Sequence, residues 1–365
     1  MKFVDEFRDA STARIVLEEI HRVRLREPVT LMEVCGSHTM AVSRFGLRPL
    51  LPEGVRLVSG PGCPVCVTPA GSIDRAIAVS RQPGVIIATF GDLMRVPGST
   101  SSLERERASG ADVRVVYSTL DALALARRHR DRDVVFLGVG FETTAPTVAA
   151  AVLTADAEAL TNFTVLCDHK VMPPPMRSLM QAPDVRVRGF LCPGHVSTII
   201  GSEAYGFLAT EFGASCVIAG FEPVDILQAV LLLLRQAAAG EARVENAYGR
   251  AVTPEGNPTA RELMRRAFVP VDAEWRGFGV IPASGLAIAP SWRTHDAAHR
   301  FDVEVSPTHD DPACRCAQVL RGAALPPDCS LFGRRCTPAD PLGACMVSSE
   351  GTCAAYYRYE RPPSL

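Results

Sequence analysis

Short apolar, β-branched runs recur along the first two thirds of the chain. Each is closed by Gly or Pro, and longer stretches with helical spacing fall between many of them. The runs at 29–34, 55–59, 85–89, 113–117, 134–139, 163–167, 187–191 and 216–219 predict strands. The spacing at 72–80, 120–130, 143–155 and 224–239 predicts helices. Strands alternating with helices imply parallel sheets in an α/β fold. The first 25 residues predict an amphipathic helix, with Phe3, Phe7, Ile15, Leu17 and Ile20 near one face.

From about Gly240 the periodicity fades, and residues 254–365 become rich in Pro, Gly and Cys. A loop-rich segment of that kind needs something besides a large core to hold it, and a metal centre can do so. The expected organisation is therefore an N-terminal helix (1–27) packed on the rest, α/β units at 28–130 and 131–240, and a smaller domain at 241–365. The two units are expected to be similar and to face one cleft. Cys35-Gly-Ser-His38, Gly60-Pro-Gly-Cys63 and Phe90-Gly-Asp92 are echoed by Cys167-Asp-His169, Cys192-Pro-Gly-His195 and Phe221-Glu222. Ligands of open α/β sheets sit outside the carboxyl ends of strands, where these loops fall.

Composition narrows the function. A net charge of −2 gives no basic field for nucleic acid. The N-terminus lacks the apolar core of a secretory signal, and the apolar stretch at 224–239 is too short and too polar to span a bilayer. A soluble, cytoplasmic protein is expected. Twelve cysteines are many for that compartment, where clustered thiols more often bind metal or do redox work than form structural disulfides. Lys2 and Lys170 are the only lysines, against 36 arginines, which singles out Lys170.

Three constellations carry the chemistry. The first is Cys329, Cys336, Cys345 and Cys353, at steps of 7, 9 and 8 residues, with Cys314 and Cys316 as further candidates. The spacing matches neither a zinc ribbon nor a ferredoxin run, yet four thiolates suit an iron–sulfur cluster or zinc, and spacing does not choose between them. The bland alternative is a set of unrelated buried thiols. The second is Cys63-Pro-Val-Cys66, a pair within disulfide reach in a Gly-Pro loop, with Cys35 and His38 nearby in sequence. Those four residues would equally make a Cys3His zinc site. The third is the set of polar strand-end loops, where Glu142, Lys170 and His195 are expected in the cleft. Thr143 is expected to cap a helix. No phosphate-binding loop is present.

Taken together, MEVCGSHT (32–39), GPGCPVCVTP (60–69), TFGDLMRVPGS (89–99), GFETTAP (140–146), DHKVMPPPM (168–176), PGHVSTIIG (193–201), GFEPVDIL (220–227) and the run from Cys329 to Tyr357 resemble the HypD family of [NiFe]-hydrogenase maturation factors. The resemblance extends from end to end. It implies a scaffold that assembles the Fe(CN)2CO unit with a small HypC-like partner, receives cyanide through a HypE-like donor, and indirectly serves the hydrogenase large subunit. It implies a [4Fe–4S] cluster rather than zinc, on Cys329, Cys336, Cys345 and Cys353, with Cys316 able to replace one of them. Iron, with cyanide and carbon monoxide ligands, would be held transiently by Cys35 and His38, beside a redox-active Cys63–Cys66 pair. A thiol-disulfide oxidoreductase driven by the cluster is the competing function.

Overall fold

The computed structural model describes residues 5–305 and 311–360. Eleven strands are present among them: β1 (Val29–Glu33), β2 (Val55–Ser59), β3 (Val85–Thr89), β4 (Val113–Val115), β5 (Asp133–Gly140), β6 (Phe163–Lys170), β7 (Gly189–Pro193), β8 (Ser215–Ala219), β9 (Val244–Asn246), β10 (Phe268–Trp275) and β11 (Gly279–Ile288). They build two sheets, ordered β2-β1-β7-β8-β9 and β10-β11-β6-β5-β3-β4. Every pairing is parallel except β6–β11 and β10–β11. The α/β class therefore holds. The central strands are buried throughout, as β3 and β8 show, because helices or the opposite sheet cover both faces.

The expected boundaries do not separate the sheets. β1 and β2 lie in the first, β3 to β6 in the second, and the chain then returns to the first for β7 to β9. Each sheet thus draws strands from both 28–130 and 131–240. Residues 244–288, expected in the C-terminal domain, complete both sheets instead. The motif echo also fails as a domain repeat. Its first copy follows strands of the first, first and second sheets, whereas its second copy falls at the ends of strands of the second, first and first, with Cys167-Asp-His169 inside β6 itself.

One large core lies between the sheets, containing Met32, Ile87, Leu137, Phe190 and Trp275. A second packs the helix Ala145–Ala157 on the outer face of the six-stranded sheet, and a third packs Pro223–Ala239 on the five-stranded one. The N-terminal helix is shorter than expected, Ala10–Arg22. Asp9 caps it by accepting a hydrogen bond from the Thr12 amide (2.7 Å). Val16 and Ile20 are buried, and the helix lies against Pro223–Ala239. Ile15 points outward, and Phe3 lies outside the described residues. Among the described residues, no helix is long and apolar enough to cross a membrane.

Candidate functional site

β1 ends at Glu33, and two residues later Cys35 begins the helix Gly36–Arg44. β2 runs next to β1 and ends in the Gly60–Cys63 turn, so the two cysteine loops leave the sheet side by side. The contact is backbone to backbone. The Gly36 amide donates to the Gly62 carbonyl at 2.9 Å, and a Cβ on Gly62 would lie 2.1 Å from the Cys35 nitrogen. Only glycine fits there. Cys63 and Cys66 are joined as a disulfide across the short helix Pro64–Val67, and both are buried. That bond removes two ligands from a Cys3His zinc site. Among the described residues, no three His, Cys, Asp or Glu side chains stand arranged around a single ion.

Cys35 opens onto a cleft of about 370 Å³ between the sheet ends. Its other walls come from Gly62 and Pro64, from Phe141, Thr143 and Thr144 after β5, from His195 after β7, and from Glu350. Burial, together with the Glu350 and Glu33 carboxylates, pushes the Cys35 thiol up to about 12. The amides of Ser37 and His38 at the helix start pull the other way. His38 is fully buried and pushed down to about 4 by desolvation, so its imidazole is neutral. His195 is lowered by burial too, and stacks on Phe221 with centroids 4.0 Å apart.

His195 lines the cleft. Glu142 and Lys170 do not line this cleft. Glu142 lies just behind it, accepting from the Met172 amide at 2.9 Å, with burial raising its carboxyl to about 7. Lys170 is 1% exposed, pairs with Asp168 at 2.8 Å and lies 6.0 Å from the Trp275 ring. The physical reason is that β6 runs three residues further than its apolar pattern. Pairing of His169 and Lys170 with Leu286 and Gly285 of β11 makes Asp168-His169-Lys170 strand rather than loop. Thr143 is not the cap either. Thr144 holds that position, without a side-chain cap bond.

Glu350 was not anticipated. It lies between Cys345 and Cys353, accepts a hydrogen bond from Ser37 Oγ at 2.5 Å, and packs against Gly36 so closely that a Cβ there would meet Glu350 Cβ at 2.5 Å. The SSEG turn was the one available signal. Through it the C-terminal segment supplies a wall of the Cys35 cleft.

The same segment brings all six C-terminal cysteines, 314, 316, 329, 336, 345 and 353, around one narrow pocket, with Leu331, Phe332 and Met346 as apolar lining. The six span two adjoining clusters, and Cys314 and Cys353 pack against both. Cys316 and Cys345 belong to the core between the sheets, as do Cys63 and Cys66, and their sulfurs lie 2.7 Å apart. Cys336 belongs to a separate small cluster with Leu331, Phe332, Met346 and Tyr356, against which Cys314, Cys329 and Cys353 pack. Hydrogen bonds from Cys314 and Cys345 lower Cys316, and those two thiols are raised in turn. The helix Ala344–Val347, carrying Cys345, packs on Pro64–Val67, carrying Cys66. Arg276 adds a tie: its Nε donates to the Thr68 carbonyl at 3.0 Å, and its charge favours the Cys316 thiolate.

Fold and site together define an α/β protein that gathers thiols at two neighbouring places, a strand-end cleft and a C-terminal pocket. The family profile described as "HypD: Hydrogenase formation hypA family" matches residues 11–360. Hydrogenase maturation factor HypD of Rhizobium leguminosarum bv. viciae is 49% identical over 372 residues, covering 99% of this chain and 96% of that protein. Its counterpart in Escherichia coli (strain K12) is 46% identical over 371 residues, covering 100% of both. HypD2 of Bradyrhizobium diazoefficiens is 48% identical over 370 residues. The chain belongs to the HypD family of hydrogenase maturation factors.

Proposed function

We propose that the chain is a cytoplasmic scaffold on which the Fe(CN)2CO unit is assembled, with Cys35 and His38 holding the iron. The observation that carries this is the placement of Cys35. Its thiol, a soft donor suited to low-valent iron, opens onto a cleft walled by the disulfide loop and by the C-terminal cysteine segment. Thr143 and His195 line that cleft and offer hydrogen-bond donors to anionic cyanide. A HypC-like partner and a HypE-like cyanide donor would approach at its open side.

The donor set of the C-terminal pocket fits a [4Fe–4S] cluster: soft thiols in excess of four, with an apolar lining. The expected ligands Cys329, Cys336, Cys345 and Cys353 all line it, with Cys314 and Cys316 beside them. Such a cluster would supply one-electron chemistry to neighbouring thiols. The chain's own thiols do the rest. Opening the Cys63–Cys66 disulfide takes two electrons and two protons and yields two thiols. Cys316 and Cys345 lie in the same core as that pair, on the side of the pocket.

A protein-disulfide reductase would use the same cysteines. Cys63 and Cys66 are 3% and 0% exposed, which shields them from a partner's disulfide and disfavours that function. Iron analysis of anaerobically isolated protein bound to its small partner tests the proposal. The expected result is one iron beyond the cluster, lost in Cys35→Ala while acid-labile sulfide stays unchanged. Equal iron in both would refute it.

A further inference from the structure

The Gly220–Phe221 loop that follows β8 touches two histidines, the buried His38 and the cleft-lining His195. His38 Nε2 lies 2.9 Å from the Gly220 carbonyl oxygen. A carbonyl only accepts, so this nitrogen carries the proton. With Nε2 committed to that carbonyl, Nδ1 is the ring nitrogen left for a ligand. That atom is buried and has no hydrogen-bond partner. A buried acceptor without a donor is normally costly, so its survival points to a ligand that occupies it at another stage. Cys35 is the extended N-cap of the helix Gly36–Arg44, and His38 stands in that helix's first turn.

Phe221 supplies the second hold. Its ring stands between two imidazoles, 4.8 Å from His38 and 4.0 Å from His195, with Tyr248 edge-on at 6.1 Å. The loop passes close over Asp225, since a Cβ on Gly220 would lie 2.3 Å from Asp225 Oδ2, itself clamped by Arg250 at 2.6 Å.

We propose that this loop is the positioning element of the metal site: the Gly220 carbonyl fixes His38 as the Nε2–H tautomer, so that Nδ1 is the ligating atom beside the Cys35 sulfur, and the Phe221 ring sets the orientation of His38 and His195 together. This rests on the reading of Cys35 and His38 as the iron-holding pair. Its test needs no iron at that pair, so the two can fail separately.

The experiment is nitrogen NMR of full-length protein labelled with ¹⁵N-histidine and isolated without its partner. His38 is assigned by the signal lost in His38→Gln. The expected His38 pattern is an unprotonated Nδ1 and a protonated Nε2. Phe221→Leu is expected to shift the signals of both His38 and His195, and Phe221→Tyr to restore them. A proton on His38 Nδ1 would overturn the tautomer assignment. A His38 or His195 signal left unmoved by Phe221→Leu, or unmoved back by Phe221→Tyr, would overturn the role of the ring.

Discussion

Replacing Gly62 with Ala places a methyl group where the backbone of the neighbouring cysteine loop already stands. The new Cβ would lie 2.1 Å from the Cys35 nitrogen, 2.3 Å from the Val34 carbonyl carbon and 2.4 Å from Cys35 Cα. None of these belongs to a side chain that can swing aside, so one loop must move. Overpacking typically costs ~1–3 kcal/mol, and a backbone neighbour puts this case at the upper end. Separation of the loops also loses the 2.9 Å bond from the Gly36 amide to the Gly62 carbonyl, worth ~1 kcal/mol. A total near 3–4 kcal/mol predicts a melting temperature lower by roughly 5 °C or more for a chain of this size. Because Cys35 sits on the displaced loop, alkylation of its thiol should also accelerate. Calorimetry, with mass-spectrometric counting of Cys35 alkylation, reads both. A variant that melts within 1 °C of wild type and labels at the same rate would refute the backbone contact.

Cys329→Ser and Cys345→Ser are each expected to abolish visible iron–sulfur absorption; colour that survives Cys345→Ser would take Cys345 out of the ligand set. Lys170→Met leaves Asp168 without its cation and should cost ~2 kcal/mol in chemical denaturation, below the full value for a buried pair because Asp168 keeps 23% exposure. The same change should leave Cys35 labelling unaltered, and a changed rate would put Lys170 back in the cleft. Glu142 has its carboxyl raised to about 7 from a usual 4.5, so the folded state holds a proton the unfolded state releases. Its contribution is complete below about pH 4.5 and is lost as pH rises through 7. Glu142→Gln should therefore gain melting temperature relative to wild type across that window, and a difference independent of pH would contradict the assignment.

Much of this was legible in the sequence. β2 and β3 span the stretches that apolar β-branched runs indicate, and Gly-Pro-Gly before Cys63 marked a tight loop that proves to be backbone packing. β10 and β11 were not legible. Pro270 and Pro282 interrupt them, and β10 leaves most of its middle exposed, so neither periodicity nor apolarity reveals a hairpin that is held by pairing with β6. Lys170 was misplaced for the same reason, since a strand's end depends on a partner 115 residues away. Sheet membership is equally non-local. Nothing in 28–130 announces that β2 and β3 enter different sheets, because parallel strands are joined by crossovers rather than turns. The six C-terminal thiols were readable as a group, and they do converge on one pocket, although their spacing shows neither the 2.7 Å approach of Cys316 to Cys345 nor that Cys314 and Cys353 pack against both adjoining clusters.

Infrared spectroscopy of the protein bound to its small partner bears most directly on the scaffold role, measured side by side for wild type, Cys35→Ala and Lys170→Met. Bands of iron-bound cyanide and carbon monoxide should appear in wild type and in Lys170→Met, and vanish in Cys35→Ala. Bands of equal strength in Cys35→Ala would contradict the assignment of the iron to that thiol.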